Sequence, residues 1–200
     1  DHDFSRDGFE SGTMLGIWNH IRYVDLLSNL REVDPERVGV IGHSLGGHNA
    51  LFAAAFDSRL KAVVSSCGWT PFDYYDIGEE ASILYGGRLG PWAQERYMPG
   101  IKAYLPDKSL PFDFPEIIAL IAPRPFFSNS PLYDSNFDVK GVKDAVSHLE
   151  PVYRFLGFPE NLQVRYPEAE HDFPSEIREE AYRFLDRHFG FTPIKTLDLQ

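Results

Sequence analysis

Val38-Gly39-Val40-Ile41-Gly42-His43-Ser44-Leu45-Gly46-Gly47 is the stretch that decides the fold of this chain. Val38–Gly42 is an apolar run of strand length, and residues 45–57 (LGGHNALFAAAFD) read as a helix packed through small side chains. At the junction stands Gly-x-Ser-x-Gly, from Gly42 to Gly46. A serine at a sharp strand-to-helix turn needs strained backbone angles. Glycines two before and two after it let strand and helix approach without a Cβ clash. The hydroxyl then projects from the carboxyl edge of a sheet, and the Leu45 N–H, at the helix start, can donate to an oxyanion. A strand before and a helix after are the context in which this otherwise common pattern carries chemistry.

Outward from that turn, strands and helices alternate. Residues 13–30 place Leu15, Trp18, Ile21, Leu26 and Leu30 near helical spacing, which predicts an amphipathic helix buried against a sheet. Asp34-Pro35-Glu36-Arg37 reads as a turn. Leu60–Ser66, Pro125–Ser128 and Leu162–Tyr166 read as further strands. Residues 114–120, 139–156 and 174–189 read as helices, the last with Pro174 at its first position and an apolar stripe of Ile177, Ala181, Phe184 and Leu185. The apolar strands show no inside–outside alternation, as in a sheet covered on both faces. The expected fold class is therefore α/β, a mostly parallel sheet with helices on both sides.

The chain has 200 residues, 43% of them hydrophobic and 24% charged, which suits one globular domain and excludes a disordered or coiled-coil chain. A net charge of −11 repels phosphate backbones and anionic lipid, so nucleic acid is not an expected partner. No apolar run approaches the ~18 residues of a membrane-spanning helix. Asp1-His2-Asp3 is polar and reads as no secretory leader; cytoplasmic and exported locations both stay open. The single cysteine, Cys67, leaves no disulfide, thiolate zinc site or paired redox motif, and as a nucleophile it is disfavoured by its place at a strand end.

A nucleophilic serine needs a base, and the base an orienting group. His171, in Glu168-Ala169-Glu170-His171-Asp172-Phe173-Pro174, follows the last strand and precedes the last helix. His2, His20, His43, His48, His148 and His188 sit at the chain start, in the turn or in helices, where core or surface roles suit them better. The acid is sought in the loop after Pro125–Ser128. Asp134 lies where that loop can reach the histidine, whereas Asp138 opens the next helix and reads as its N-cap. Residues 134–138 imitate the start of a calcium loop, but Val139 and Ala145 replace the required glycine and glutamate.

Together these residues resemble the α/β-hydrolase superfamily, and within it the dienelactone-hydrolase/acetyl-xylan-esterase-like and prolyl-oligopeptidase-like branch. The resemblance runs from about Asp7 to Phe189 and rests on residues 34–47, on Ile121-Ala122-Pro123-Arg124-Pro125 and on Glu170–Pro174. It implies Ser44 as nucleophile, Asp134 as acid and His171 as base, with no metal or organic cofactor. It also implies a longer sheet than the four strands legible here, with an upstream loop supplying a second oxyanion donor. The expectation is that residues 1–200 form the C-terminal part of that catalytic domain and leave one edge of Val38–Gly42 unpaired.

Residues 69–111 interrupt the alternation with many aromatic rings. They are expected to form a lid-like insertion, with Trp69, Tyr74 and Trp92 as candidate substrate contacts; the competing reading is a loop that buries its own rings. Asp73, Asp76, Glu79 and Glu80 disfavour an anionic substrate there. The leading functional expectation is a serine esterase acting on small acyl esters of carbohydrates. The alternatives are a prolyl-oligopeptidase-like peptidase and a non-catalytic, hydrolase-like binding protein.

Overall fold

A computed structural model describes residues 4–105 and 110–192; Asp1, His2 and Asp3 lie outside the described residues. Strands β1 (Val38–His43), β2 (Leu60–Ser66), β3 (Phe126–Asn129) and β4 (Leu162–Arg165) form one parallel sheet in the order β1-β2-β3-β4. The helices are α1 (Gly12–Ser28), α2 (Leu45–Phe56), α3 (Glu79–Leu84), α4 (Phe114–Ile121), α5 (Val139–Phe155) and α6 (Ser175–Phe189). Alternate strand residues face opposite layers, because successive Cβ atoms point to opposite sides of a strand. Val63 and Phe126 join the large core under α2, α4 and α5, while Val64 and Phe127 pack against Ile177, Ala181 and Phe184 of α6.

The α/β architecture expected from the alternation is the one observed, with three differences of detail. Helix α1 turns a different face inward: Thr13 and Val24 are buried, whereas Trp18 is 46% exposed and Leu26 and Leu30 are also exposed. The reason is that α1 rests chiefly on α2 instead of on the sheet. As expected, strand β1 has β2 as its one neighbour among the described residues, so its other edge is unpaired and Ile41 is 42% exposed. Pro174 is the N-cap of α6, one residue before the helix begins. The aromatic segment is not wholly irregular, since it holds α3 and two short 3-10 turns, Phe72–Tyr74 and Pro99–Tyr104.

Two polar residues tie the layers. Arg124 donates to the carbonyls of Ala54, Asp57 and Leu60, joining the end of α2 to the start of β2. His48, in α2, is fully buried between Phe52, Trp92 and Phe114, and neither ring nitrogen has a partner among the described residues. Burial alone lowers its pKa to about 3. Asp113, the N-cap of α4, moves the other way; burial raises its carboxyl to about 6.

The sign of the His48 effect follows from linkage. Above the ordinary value of 6.5 the ring is neutral folded and unfolded; below it, only the unfolded chain takes up a proton, until about pH 3. Stability is therefore lost as pH falls through that window, at about 1.4 kcal/mol per pH unit for this group. In urea titrations, His48→Phe is expected to flatten the decline in stability between about pH 6 and pH 4 relative to wild type, and an unchanged slope would contradict the buried neutral assignment.

Candidate active site

The parallel sheet brings its strand ends to one edge, and three of the sequence-predicted residues meet there. Ser44 sits between β1 and α2 at φ 55, ψ −120. A non-glycine residue at positive φ costs about 1–3 kcal/mol and persists only where its surroundings over-determine it. Here the Ser44 N–H donates to the Ser66 carbonyl of β2 at 2.8 Å. The turn is also too tight for a side chain at Gly42, where a Cβ would lie 2.1 Å from the Gly46 carbonyl oxygen. The Leu45 N–H falls in the first turn of α2, where N–H groups have no partner within the helix and form the positive end of its dipole.

His171 Nε2 lies 2.8 Å from Ser44 Oγ, and His171 Nδ1 lies 2.9 Å from Asp134 Oδ2. Asp134 is held in turn by the N–H groups of Asn136 and Phe137, both donating to its Oδ1. The acid and base segments are laced by backbone bonds from Ser130 to Arg165, Leu132 to Pro167 and Tyr133 to Ala169. The His171 ring lies between Phe137, stacked at 5.9 Å, and His43, tilted at 5.2 Å. His43 is kept below its ordinary pKa by burial first and by the neighbouring His171 second. Asp138 caps α5 through the Lys140 N–H and stands apart from this arrangement.

Cys67 adjoins the same cluster; its sulfur, the Asp134 carboxylate and the His171 ring offer three donor atoms within 4.8 Å of one another. Burial pushes the Cys67 thiol up to about 12, so it stays protonated and donates to the Asp172 carbonyl. Asp134 and His171 are already paired with each other, so the cluster reads as a hydrogen-bonded unit.

A cavity of about 130 Å³ opens beside Ser44, with Leu45, Tyr75, Trp92, Tyr97, Asn136 and Phe137 in its wall. Of the three proposed substrate contacts, Trp92 is at this cavity. Trp69 is not: it is 1% exposed, donates its indole N–H to Ser128 Oγ and packs near Phe126. Tyr74 rests over Gly141 of α5, away from the cavity. Tyr75, Tyr97, Asn136 and Phe137 were not singled out from sequence. The nearest signal was local: Asn136 and Phe137 follow Asp134 in the turn that its carboxylate organises.

A family model described as glucuronyl esterase, fungi, matches residues 9–157, well over half of the chain. The "Putative hydrolase YtaP" of Bacillus subtilis (strain 168) is 29% identical over 171 residues, covering 86% of this chain and 52% of that protein. "Carbohydrate esterase MZ0003", from an unknown prokaryotic organism, is 30% identical over 137 residues, covering 67% of this chain and 31% of its own. The structure of a carbohydrate esterase family 15 glucuronoyl esterase from Caldicellulosiruptor kristjansonii superposes with a TM-score of 0.71 at 22% identity, over 92% of this chain and 53% of the other. The chain thus spans about half, or less, of the length of these relatives.

Gly42→Ala is expected to open the Ser44 turn, because the new methyl meets backbone and not a movable side chain. The expected cost exceeds about 2 kcal/mol in urea unfolding, with slowed fluorophosphonate labelling of Ser44. A variant as stable and as fast to label as wild type would show that the turn tolerates a Cβ.

Proposed function

Because the chain belongs to the glucuronyl esterase family, we propose that it is a serine esterase that cleaves a carboxylic ester of a carbohydrate through Ser44, His171 and Asp134. The observation that carries this reading is the continuous pair of contacts from Ser44 Oγ to His171 Nε2 and from His171 Nδ1 to Asp134 Oδ2. His171 accepts the Ser44 proton as the oxygen attacks the ester carbonyl. Asp134 keeps the imidazole proton on Nδ1 and stabilises the imidazolium. The Leu45 N–H donates to the oxyanion. Collapse of the tetrahedral intermediate transfers the proton from His171 to the leaving alcohol and leaves an acyl-serine. Water, deprotonated by His171, attacks that acyl-serine, and collapse of the second tetrahedral intermediate returns the proton from His171 to Ser44 Oγ and releases the acid.

The cavity wall supports a neutral carbohydrate ester. Tyr75, Trp92, Tyr97 and Phe137 offer flat amphipathic faces suited to sugar rings, and the wall has no formally charged side chain. An uncharged ester fits such a wall; the carboxylate released by hydrolysis is poorly matched to it and leaves. Substrates consistent with this chemistry include both an acyl group on a sugar hydroxyl and an ester of a uronic acid carboxyl.

Hydrolysis of acetylated xylose, of methyl glucuronate and of an aminoacyl amide separates the substrate classes. Turnover of either ester with little amide cleavage is expected. Ser44→Ala should fall to background, and Asp134→Asn should lose up to about 10⁴-fold in kcat with the fold intact. Asp138→Asn should cost at most ~1 kcal/mol of stability and leave turnover near wild type. Retained activity in Ser44→Ala, or loss in Asp138→Asn without loss in Asp134→Asn, refutes the assignment.

A further inference from the structure

The base is the one member of the trio borne on a segment beyond the last strand, and the structure supplies a buried device that holds it. His43, Ser66 and Asn129 are register partners at the carboxyl ends of β1, β2 and β3. Parallel pairing puts their side chains in a row on one face. Asn129 Nδ2 donates to Ser66 Oγ at 2.8 Å and to the Asp172 carbonyl at 2.9 Å. Ser66 Oγ lies 3.0 Å from His43 Nδ1, and His43 flanks the His171 ring and stacks on Phe173. The row therefore touches the 171–173 segment at a backbone carbonyl and at two rings.

The chemistry of the amide sets its direction. A backbone carbonyl only accepts, so the end of Asn129 that faces Asp172 must be the NH₂ group. That orientation leaves Asn129 Oδ1 buried without a partner among the described residues. Asn129 and Ser66 are both 0% exposed. An unpaired buried acceptor is destabilising, and an apolar residue at this strand end would avoid it. The arrangement is explained if the donor is needed where it is.

We propose that Asn129 is a positioning residue for His171: its buried amide, braced by Ser66, pins the His171–Asp172 segment and so keeps the imidazole in line between Ser44 and Asp134. This rests on the esterase reading above. Without the pin, the Asp172 carbonyl is held by the Cys67 thiol alone, a weak donor, so the segment loosens and Nε2 leaves its 2.8 Å contact with Ser44. A misplacement of about 1 Å costs on the order of 10²-fold in rate.

The test uses the full chain, with Asn129→Leu, which keeps the branching at Cγ and removes the donors, and Ser66→Ala, which removes the brace. Kinetics with the best ester, active-site titration with a fluorophosphonate and hydrogen exchange over residues 169–173 are measured together. For Asn129→Leu the expected result is a kcat lower by about 10²-fold at nearly constant KM, with every site still titratable but labelled slowly. Exchange in 169–173 should rise about tenfold while the strands stay protected. Ser66→Ala should show the same pattern more weakly, and it carries the test if Asn129→Leu does not fold. A reduced fraction of titratable sites that each turn over at the wild-type rate would overturn the proposal, because that is the signature of a purely structural role. If the wild-type chain neither labels nor hydrolyses, the esterase reading fails, and exchange alone then decides the pin. Unchanged exchange in both variants overturns it.

Discussion

The left-handed backbone of Ser44 is the constraint on which the rest of the arrangement depends. It is unfavourable by itself, and three things hold it: the bond from its N–H to Ser66 across the sheet, the close backbone approach that the missing side chain at Gly42 permits, and the burial of α2 immediately after it. The first of these ties the nucleophile candidate to β2 and not merely to its own turn. Its position is thereby set by β1–β2 register, and a slip in that register would displace the hydroxyl, the helix start and the Leu45 N–H together.

The other two residues arrive through the same sheet edge. The chain leaving β3 and the chain leaving β4 run side by side for several residues, so Asp134 and His171 are delivered as neighbours. Asp134 receives two backbone N–H groups in addition to the imidazole, which fixes one oxygen and leaves the other for His171. Above them, the aromatic segment has a double role. Trp69 and Phe72 belong to the core, while Tyr75 and Trp92 are buried in that core and also stand in the wall of the cavity. Wall and core are thus one packed structure, and the pocket gains its shape from the same ring contacts that hold the segment down.

Much of this was legible in the order of residues. The apolar runs, the small-residue helix after Ser44 and the placement of Asp134 and His171 after successive strands are local or ordinal features, and the structure brings those three residues into contact. The inward face of α1 was not legible. Leu15, Trp18, Ile21, Leu26 and Leu30 make one plausible stripe and Thr13, Ile17 and Val24 another, and the choice depends on which element the helix meets. The aromatic contacts were likewise ambiguous. Trp69 and Tyr74 resemble Tyr75 and Trp92 in composition, and only the path of the segment separates core rings from cavity rings.

By itself the sequence determined the α/β class, the turn at Ser44 and the identity of the base and acid candidates, because these follow from periodicity, from glycine at fixed spacing and from chain order. Only the tertiary structure decided which rings face Ser44, which side of α1 is covered, and that His43, Ser66 and Asn129 form a row beneath His171. The physical reason is distance along the chain. Ser66 and Asn129 are 63 residues apart and meet only when their strands pair, and no local pattern records the register of strands so far separated.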